Sequence, residues 1–206
     1  PVETLNREFD GKLLLALFAA ERGMTPIIGG RTELHRRAQE LPRSIYVSKG
    51  IRIGNRLMLS LLKKLGHVIV ALEEEGLVRF PDDAYLMMLD PATFNRASIL
   101  YAWGHDNAEI WRRFSDYRDT PIVEAGNPRM DMLRPEVRQF YAGEVADLRK
   151  RFGRFLLFNS NFSFVNHFIP GYQRFRVAPG AETGKSNEIK GGIHQHKTIL
   201  FDHFRR

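Results

Sequence analysis

The sequence has no cysteine among its 206 residues. Disulfide frameworks, thiolate metal sites and cysteine nucleophiles are therefore excluded, and a reducing compartment is expected. Long apolar runs are also missing, because the longest, residues 13–20, is far shorter than the roughly 20 residues that a membrane-spanning helix needs. Residue 1 is proline and no secretory signal pattern follows it, so we expect an internal piece of a longer cytoplasmic protein.

The common nucleotide and hydrolase motifs are absent as well. No Walker lysine loop, G-x-G-x-x-G fingerprint or G-x-S-x-G elbow occurs, which removes the main support for kinase-like, dehydrogenase and hydrolase functions. His194 and His196 are spaced by two residues, but no third ligand accompanies them, so no metal site and no cofactor are predicted. The net charge of +7 suits phosphorylated ligands, anionic lipid head groups or nucleic acid. No nucleic-acid recognition motif accompanies the charge, so no nucleic-acid partner is expected.

What the sequence does contain is an alternation of apolar patterns that predicts five strand–helix units. The expected strands are residues 25–28, 44–47, 67–72, 98–103 and 121–124. The expected helices are residues 8–23, 31–41, 50–65, 81–89, 91–95 and 106–114. This alternation is typical of a Rossmann-like α/β fold, with a parallel sheet, right-handed crossovers and helices on both faces. Ligands of such folds bind at the carboxyl ends of the strands.

The pattern changes after residue 134. It predicts a long helix at 135–151, a further strand at 154–158, a flexible loop at about 170–193 and a helix that begins near residue 198. We therefore divide the chain into a first domain at 1–134, a connecting helix at 135–153 and the incomplete start of a second domain at 154–206.

An acidic turn follows the predicted strand at 67–72. It consists of Glu73, Glu74, Glu75 and Gly76, and it lies where a parallel sheet exposes its functional loops. Adjacent carboxylates repel one another, and desolvation beneath a ligand would raise the pKa of one of them toward the value that a general base needs. The alternative is a solvated acidic turn with no chemical role.

Arg7 and Asp10 fall at the predicted start of the first helix. Backbone N–H groups at a helix start face bound anions, so Arg7 is a candidate to clamp a phosphate or carboxylate. The alternative, which is stronger for Asp10, is a favourable interaction of acidic residues with the helix terminus, worth a few tenths to ~1 kcal/mol.

Two further loops follow predicted strands. Asn127 and Arg129 belong to the Gly-Asn-Pro-Arg stretch at 126–129, which precedes a helix and suits phosphate binding. Asn159 and Asn161 follow the predicted strand at 154–158, where their amides would bind sugar hydroxyls or cap the turn. Ordinary strand-to-helix turn chemistry is the alternative for both loops.

Five of these segments in this order resemble the bacterial surface carbohydrate biosynthesis proteins. The segments are Arg-Glu-Phe-Asp-Gly-Lys-Leu-Leu-Leu-Ala at 7–16, Glu-Glu-Gly at 74–76, Trp-Gly at 103–104, Gly-Asn-Pro-Arg-Met-Asp at 126–131 and Asn-Ser-Asn-Phe at 159–162. The Gly-Asn-Pro-Arg-x-Asp segment is also similar to one in CDP-glycerol glycerophosphotransferases of teichoic-acid synthesis. The likeness covers most of residues 1–166.

The resemblance implies a two-domain glycosyltransferase of the GT-B type, with the acceptor held by the domain at 1–134. Such a protein transfers a sugar or polyol phosphate from a nucleotide-activated donor to a glycan or lipid-linked acceptor, with peripheral contact at the anionic inner membrane face. Glu74 or Glu75 would then be the general base, and Arg7 and Arg129 would hold anionic groups. The other implied substrate-binding residues are Asp10, Gly76, Asn127, Asn159 and Asn161.

Two alternatives remain open at this level. A nucleotide-sugar epimerase would share the architecture and would act on the donor alone. A non-catalytic scaffold of a polysaccharide assembly complex would bind partners without turnover. On any of these interpretations, we expect the isolated fragment to be inactive.

Overall fold

The computed structural model describes residues 1–76, 81–158, 162, 165–166 and 185–205, with side chains in the last segment described from residue 192. By its internal contacts the chain divides into two compact units, Pro1–Ala146 and Asp147–Arg206. Within the described residues, no helix combines the length and the apolar character needed to cross a membrane.

The first unit is an α/β structure built on four parallel strands. In chain order these are β1 (Ile45–Ser48), β2 (Val68–Leu72), β3 (Ile99–Ala102) and β4 (Ile122–Glu124). They lie side by side in the order β1-β2-β3-β4. Parallel neighbours need a crossover connection, and each crossover here contains helix. The predicted α/β class, with a Rossmann-like parallel sheet and helical crossovers, is confirmed.

The helices of the first unit are short apart from the first. They are α1 (Leu5–Glu21), α2 (Arg31–Arg36), α3 (Arg56–Lys64), α4 (Asp82–Leu86), α5 (Pro91–Phe94), α6 (His105–Arg112) and α7 (Pro128–Asp131). Two 3₁₀ helices, Ile53–Asn55 and Arg138–Tyr141, precede α3 and α8 (Ala142–Phe152). The second unit contains α9 (Lys185–Phe204).

The core lies on one face of the sheet. Alternate strand residues such as Ile69 and Leu100 pack there against Leu62 of α3, Phe94 of α5 and Trp111 of α6. All three crossovers run in the same direction across the sheet, and right-handed crossovers in one direction put their helices on the same face. The crossover helices α3, α5 and α6 therefore share one face of this sheet.

On the opposite face, burial is confined to the middle of the sheet. Val70 and Leu72 of the inner strand β2 are buried there. Ile45 of β1 and Val123 of β4, which lie at the two edges, are exposed.

Residues 25–28 do not form the predicted strand. Val2 and Gly30 form a single parallel bridge, and Ile27 remains 48% exposed, so the segment never joins the sheet. Two adjacent glycines, Gly29 and Gly30, contribute no side chains to a sheet face and weaken a strand. Among the residues that the structure describes, the sheet therefore has four strands rather than five.

Three expectations about the later chain are also wrong. The long helix predicted at 135–151 is interrupted, because α8 begins only at Ala142 after a 3₁₀ turn. Residues 154–158 form no strand. Residues 185–193 are helical rather than a loop, since they belong to α9, while residues 167–184 lie outside the described part. Phe201 and Phe204 of this helix make ring contacts with Phe158 and Phe162. Such long-range contacts cannot be read from the local sequence, whose two glycines disfavour a helix.

Candidate functional site

The candidate residues of the first unit gather at the carboxyl ends of β2, β3 and β4. The acidic turn follows β2, Trp103 follows β3, and the Gly-Asn-Pro-Arg stretch follows β4. Helix α1 packs against α7 at the same edge. The remaining two candidates, Asn159 and Asn161, lie outside the described residues.

Glu74 is buried beside a lysine of α1. Its side chain is 5% exposed, and its Oε2 lies 3.7 Å from Lys12 Nζ. Lys12 in turn donates a 2.7 Å hydrogen bond to Glu8. Segments more than 60 positions apart in the chain therefore form one carboxylate–ammonium–carboxylate cluster, Glu8–Lys12–Glu74.

Glu8 is the most buried member of this cluster. It is 1% exposed and accepts hydrogen bonds from Lys12, from Arg7 and from the backbone N–H of Glu3. Burial raises the pKa of the Glu8 carboxyl, but the hydrogen bonds from Lys12 and Arg7 lower it further than burial raises it. The net pKa is below the ordinary glutamate value, so Glu8 serves as a fixed negative charge that holds Lys12 and Arg7.

Glu73 is the most buried glutamate of the acidic turn, although the sequence interpretation did not single it out as a site residue. It is 2% exposed, accepts a 2.9 Å hydrogen bond from the Tyr85 hydroxyl, and Trp111 donates to the same hydroxyl. Burial raises the pKa of the Glu73 carboxyl, and the Tyr85 hydrogen bond and Arg52 only partly oppose this. The available signal was the strand alternation, which puts Glu73 on the same face as Ile69 and therefore toward the core.

Glu75 differs from both neighbours because its side chain is 46% exposed. Its Oε2 lies 3.3 Å from a guanidinium nitrogen of Arg52, and the same arginine lies 3.8 Å from Glu73. The three consecutive glutamates therefore have three environments: core for Glu73, the α1 side for Glu74 and partial solvent for Glu75.

Trp103 fixes the position of the acidic turn. Its indole Nε1–H donates to the carbonyl oxygen of Glu73, and its ring occupies the space where a Cβ on Gly76 would lie. Arg129 lies on the other side, with its guanidinium carbon 5.9 Å from the indole centroid and a 3.4 Å hydrogen bond to the carbonyl oxygen of Glu74. Gly76 is therefore required by packing against Trp103.

The Gly-Asn-Pro-Arg stretch turns sharply from β4 into α7. Gly126 has a φ of 76°, which favours glycine, and the buried Asn127 side chain caps α7 by accepting from the Arg129 N–H at 3.0 Å. A Cβ on Gly11 of α1 would lie 2.8 Å from the backbone nitrogen of Arg129. Close contact of α1 with this turn therefore positions Arg129.

A cavity of about 450 Å³ opens between α1 and α7. Asn6, Arg7 and Asp10 line it from α1, and Arg129, Met132 and Tyr141 line it from the later segment. Tyr141 donates a 2.7 Å hydrogen bond to Asp10, and burial together with this carboxylate raises the pKa of the tyrosine to about 12. The structure thus brings Arg7, Asp10 and Arg129 together around one cavity.

The part of the chain that the structure describes contains no group of three or more His, Asp or Glu side chains able to hold a metal ion. His194 and His196 lie on α9, where residues two positions apart do not face the same way. Comparisons with family models, with curated proteins and with solved structures found no match for this chain. These comparisons therefore assign no function, and the role of this site is inferred from the geometry of the described residues.

Proposed function

We propose that this chain is part of a glycosyltransferase-like protein of bacterial surface polysaccharide biosynthesis, of the two-domain GT-B type. It takes part in the transfer of a sugar or polyol phosphate from a nucleotide-activated donor. One observation carries the proposal: a buried carboxylate, Glu74, and the cations Lys12 and Arg129 come from three separate segments and meet at the carboxyl edge of the sheet. That edge is where parallel α/β folds bind their ligands.

The chemistry of glycosyl or phosphoglycerol transfer asks for two kinds of group. A carboxylate within hydrogen-bond reach removes the proton of the acceptor hydroxyl, and positive charge stabilises the leaving phosphate. In the proposal, Glu74 or Glu75 is the base, and Arg7 and Arg129 hold the anionic groups. Both carboxylates belong to the turn that Trp103 and Arg129 hold in place.

The experiment is a transfer assay on the endogenous protein purified from its own cells. The protein is incubated with a panel of nucleotide-activated sugars and CDP-glycerol, with and without membrane lipid extract, and nucleotide release is followed. Release of one nucleotide that depends on the extract supports a transferase. Release or isomerisation without the extract contradicts it in favour of a hydrolase or epimerase, and no release with any donor contradicts it in favour of a scaffold.

Single variants of neighbouring glutamates assign the base. If Glu74 is the base, Glu74→Gln lowers turnover by roughly 10²- to 10⁴-fold, and Glu75→Gln, its matched control, changes turnover far less. The reverse result assigns Glu75. Retained turnover in both variants, with unfolding curves like that of the wild type, contradicts a base in this turn.

We propose further that the protein works as a peripheral protein at the inner membrane face. The net charge of +7 supports this location because anionic head groups attract basic surfaces by about 1 kcal/mol per nearby Lys or Arg.

A further inference from the structure

The cavity between α1 and α7 has the dimensions of a small-ligand site. Its volume of about 450 Å³ lies within the roughly 300–1,000 Å³ that such sites occupy. Its walls combine two guanidinium groups, one carboxylate, one amide and one phenol with the buried side chain of Met132. These groups define the chemistry of the ligand that fits.

Arg129 supplies positive charge that the described residues leave without a counter-charge. Its guanidinium makes one 3.4 Å hydrogen bond to the carbonyl oxygen of Glu74 and lies near the ring of Trp103, and it forms no salt bridge with any described residue. A guanidinium has five N–H donors, so most of those on Arg129 are available to an anion. Their planar arrangement matches two oxygens of a phosphate.

Arg7 adds a second cation to the cavity wall. Its side chain is 42% exposed, and its guanidinium makes one 2.9 Å contact with the buried Glu8. That contact anchors one end of the guanidinium and leaves the other donors free to turn toward the cavity. A phosphate placed against Arg129 therefore has a second, anchored cation in the same cavity.

Asp10 adds a carboxylate to the α1 side of the cavity. Its carboxylate accepts a 2.7 Å hydrogen bond from Tyr141, and a carboxylate has about four lone-pair sites, so further donors can be accepted. Ligand hydroxyls are such donors, whereas a second phosphate would be repelled. Asn6 offers an amide beside them, which pairs with hydroxyls as donor or acceptor.

We infer that this cavity binds a phosphate ester that carries neighbouring hydroxyls, such as a polyol phosphate or sugar phosphate. The phosphate contacts Arg129 and Arg7, and the hydroxyls donate to Asp10. The reaction that this ligand would enter is the proposed transfer, and in this respect the inference rests on the proposed function. Binding itself is measurable without turnover, so a transfer assay that fails contradicts the proposed function and leaves this site standing.

The test is calorimetric titration of the chain with glycerol 3-phosphate, glycerol and inorganic phosphate. Glycerol 3-phosphate is expected to bind at least about tenfold more tightly than either fragment, because only it pairs with both the guanidinium groups and the Asp10 carboxylate. Arg129→Gln should weaken its binding by roughly tenfold or more. Arg134→Gln is the matched control, because Arg134 follows α7, pairs with Asp131 and is 64% exposed.

Asp10→Asn separates the two halves of the ligand. It should weaken the binding of glycerol 3-phosphate, since an amide is a poorer acceptor for hydroxyls, and strengthen the binding of inorganic phosphate, since a negative charge is removed. The inference is overturned if Arg129→Gln binds like the wild type, if inorganic phosphate binds as tightly as glycerol 3-phosphate, or if both ligands respond to Asp10→Asn in the same direction.

The same ligand chemistry exists in lipid head groups, and a vesicle arm distinguishes the two sources. The chain is mixed with phosphatidylglycerol vesicles and with phosphatidylcholine vesicles, and sedimentation is measured for the wild type and Arg129→Gln. Arg129-dependent sedimentation with phosphatidylglycerol supports the site and assigns a head group as its ligand. Arg129-dependent binding of glycerol 3-phosphate alone supports the site and assigns a soluble ester. If neither depends on Arg129, the inference fails.

Discussion

Gly11 of α1 lies directly against the backbone of the turn that carries Arg129, and Gly11→Ala tests whether this close contact builds the site. The added Cβ would lie 2.8 Å from Arg129 N, 2.9 Å from Arg129 Cα and 3.2 Å from the carbonyl carbon of Pro128. These are backbone atoms, which cannot rotate away as a flexible side chain does. Helix α1 and α7 must therefore separate.

The expected magnitude combines two opposing effects. Overpacking by a methyl group costs about 1–3 kcal/mol, whereas alanine in a helix is favoured over glycine by about 0.5–1 kcal/mol. The net expectation for Gly11→Ala is a loss of about 1–2 kcal/mol in the free energy of unfolding. Gly143→Ala in α8 is the matched control, because no atom lies within 4 Å of its added Cβ. It should leave stability unchanged or increase it.

Urea unfolding, monitored by tryptophan fluorescence, measures the free energy of unfolding of the first unit. The chain has two tryptophans, Trp103 and Trp111, and both belong to the first unit. Because Trp103 contacts the acidic turn and Arg129, its emission also reports whether the site has moved. The reasoning is refuted if Gly11→Ala stabilises the first unit as Gly143→Ala does and leaves the emission of the folded state unchanged.

Two further predictions concern buried carboxylates. Glu8→Gln should lower the free energy of unfolding at neutral pH by about 3–5 kcal/mol, because it removes the charged partner of the mostly buried Lys12. The control Glu33→Gln should have a far smaller effect, because Glu33 and its partner Arg36 are exposed. The pKa of Glu8 is lowered on folding, so its stabilising contribution is full at pH values above the ordinary glutamate pKa and is lost as the pH falls through the folded pKa. Urea unfolding of the wild type and Glu8→Gln over a pH series measures this. A stability difference that does not change with pH would contradict it. Glu73→Gln should do the opposite and stabilise the protein at alkaline pH, because the folded pKa of Glu73 is raised and ionising it in the core costs stability, while glutamine still accepts from Tyr85. The advantage should shrink as the pH falls through the raised folded pKa of Glu73 and should be gone at the ordinary glutamate value of 4.5, and a stability loss at alkaline pH in the same assay would count against the assignment.

Much of the first unit follows from local sequence patterns. The apolar runs that become β2, β3 and β4 end at or beside charged or glycine residues, and one of the helices between them, α5, begins with a side-chain cap. Asp90, for example, accepts the Thr93 N–H at the start of α5, as a proline-containing helix start predicts. Local patterns fail where distant contacts decide, as in α9, whose two glycines disfavour a helix in isolation.

The candidate site shows the same division. The sequence indicated which turns carry charged residues, because those turns follow apolar strands. It did not single out Glu73 as the glutamate of the acidic turn that packs into the core, although the strand alternation contained that information. Nor did it indicate that Lys12 joins Glu8 and Glu74, since the two carboxylates are far apart in the chain.

The sequence by itself determined the α/β class, parallel strands predicted at 67–72, 98–103 and 121–124 to within a residue, and the positions of the charged turns, because periodicity and turn chemistry act over a few residues. Only the tertiary structure decided the strand order, the single face that carries the crossover helices, and the contact between Gly11 and Arg129 that forms the cavity. These features depend on which side chains pack together across long stretches of chain. Such packing is a property of the whole fold, and local propensities do not encode it.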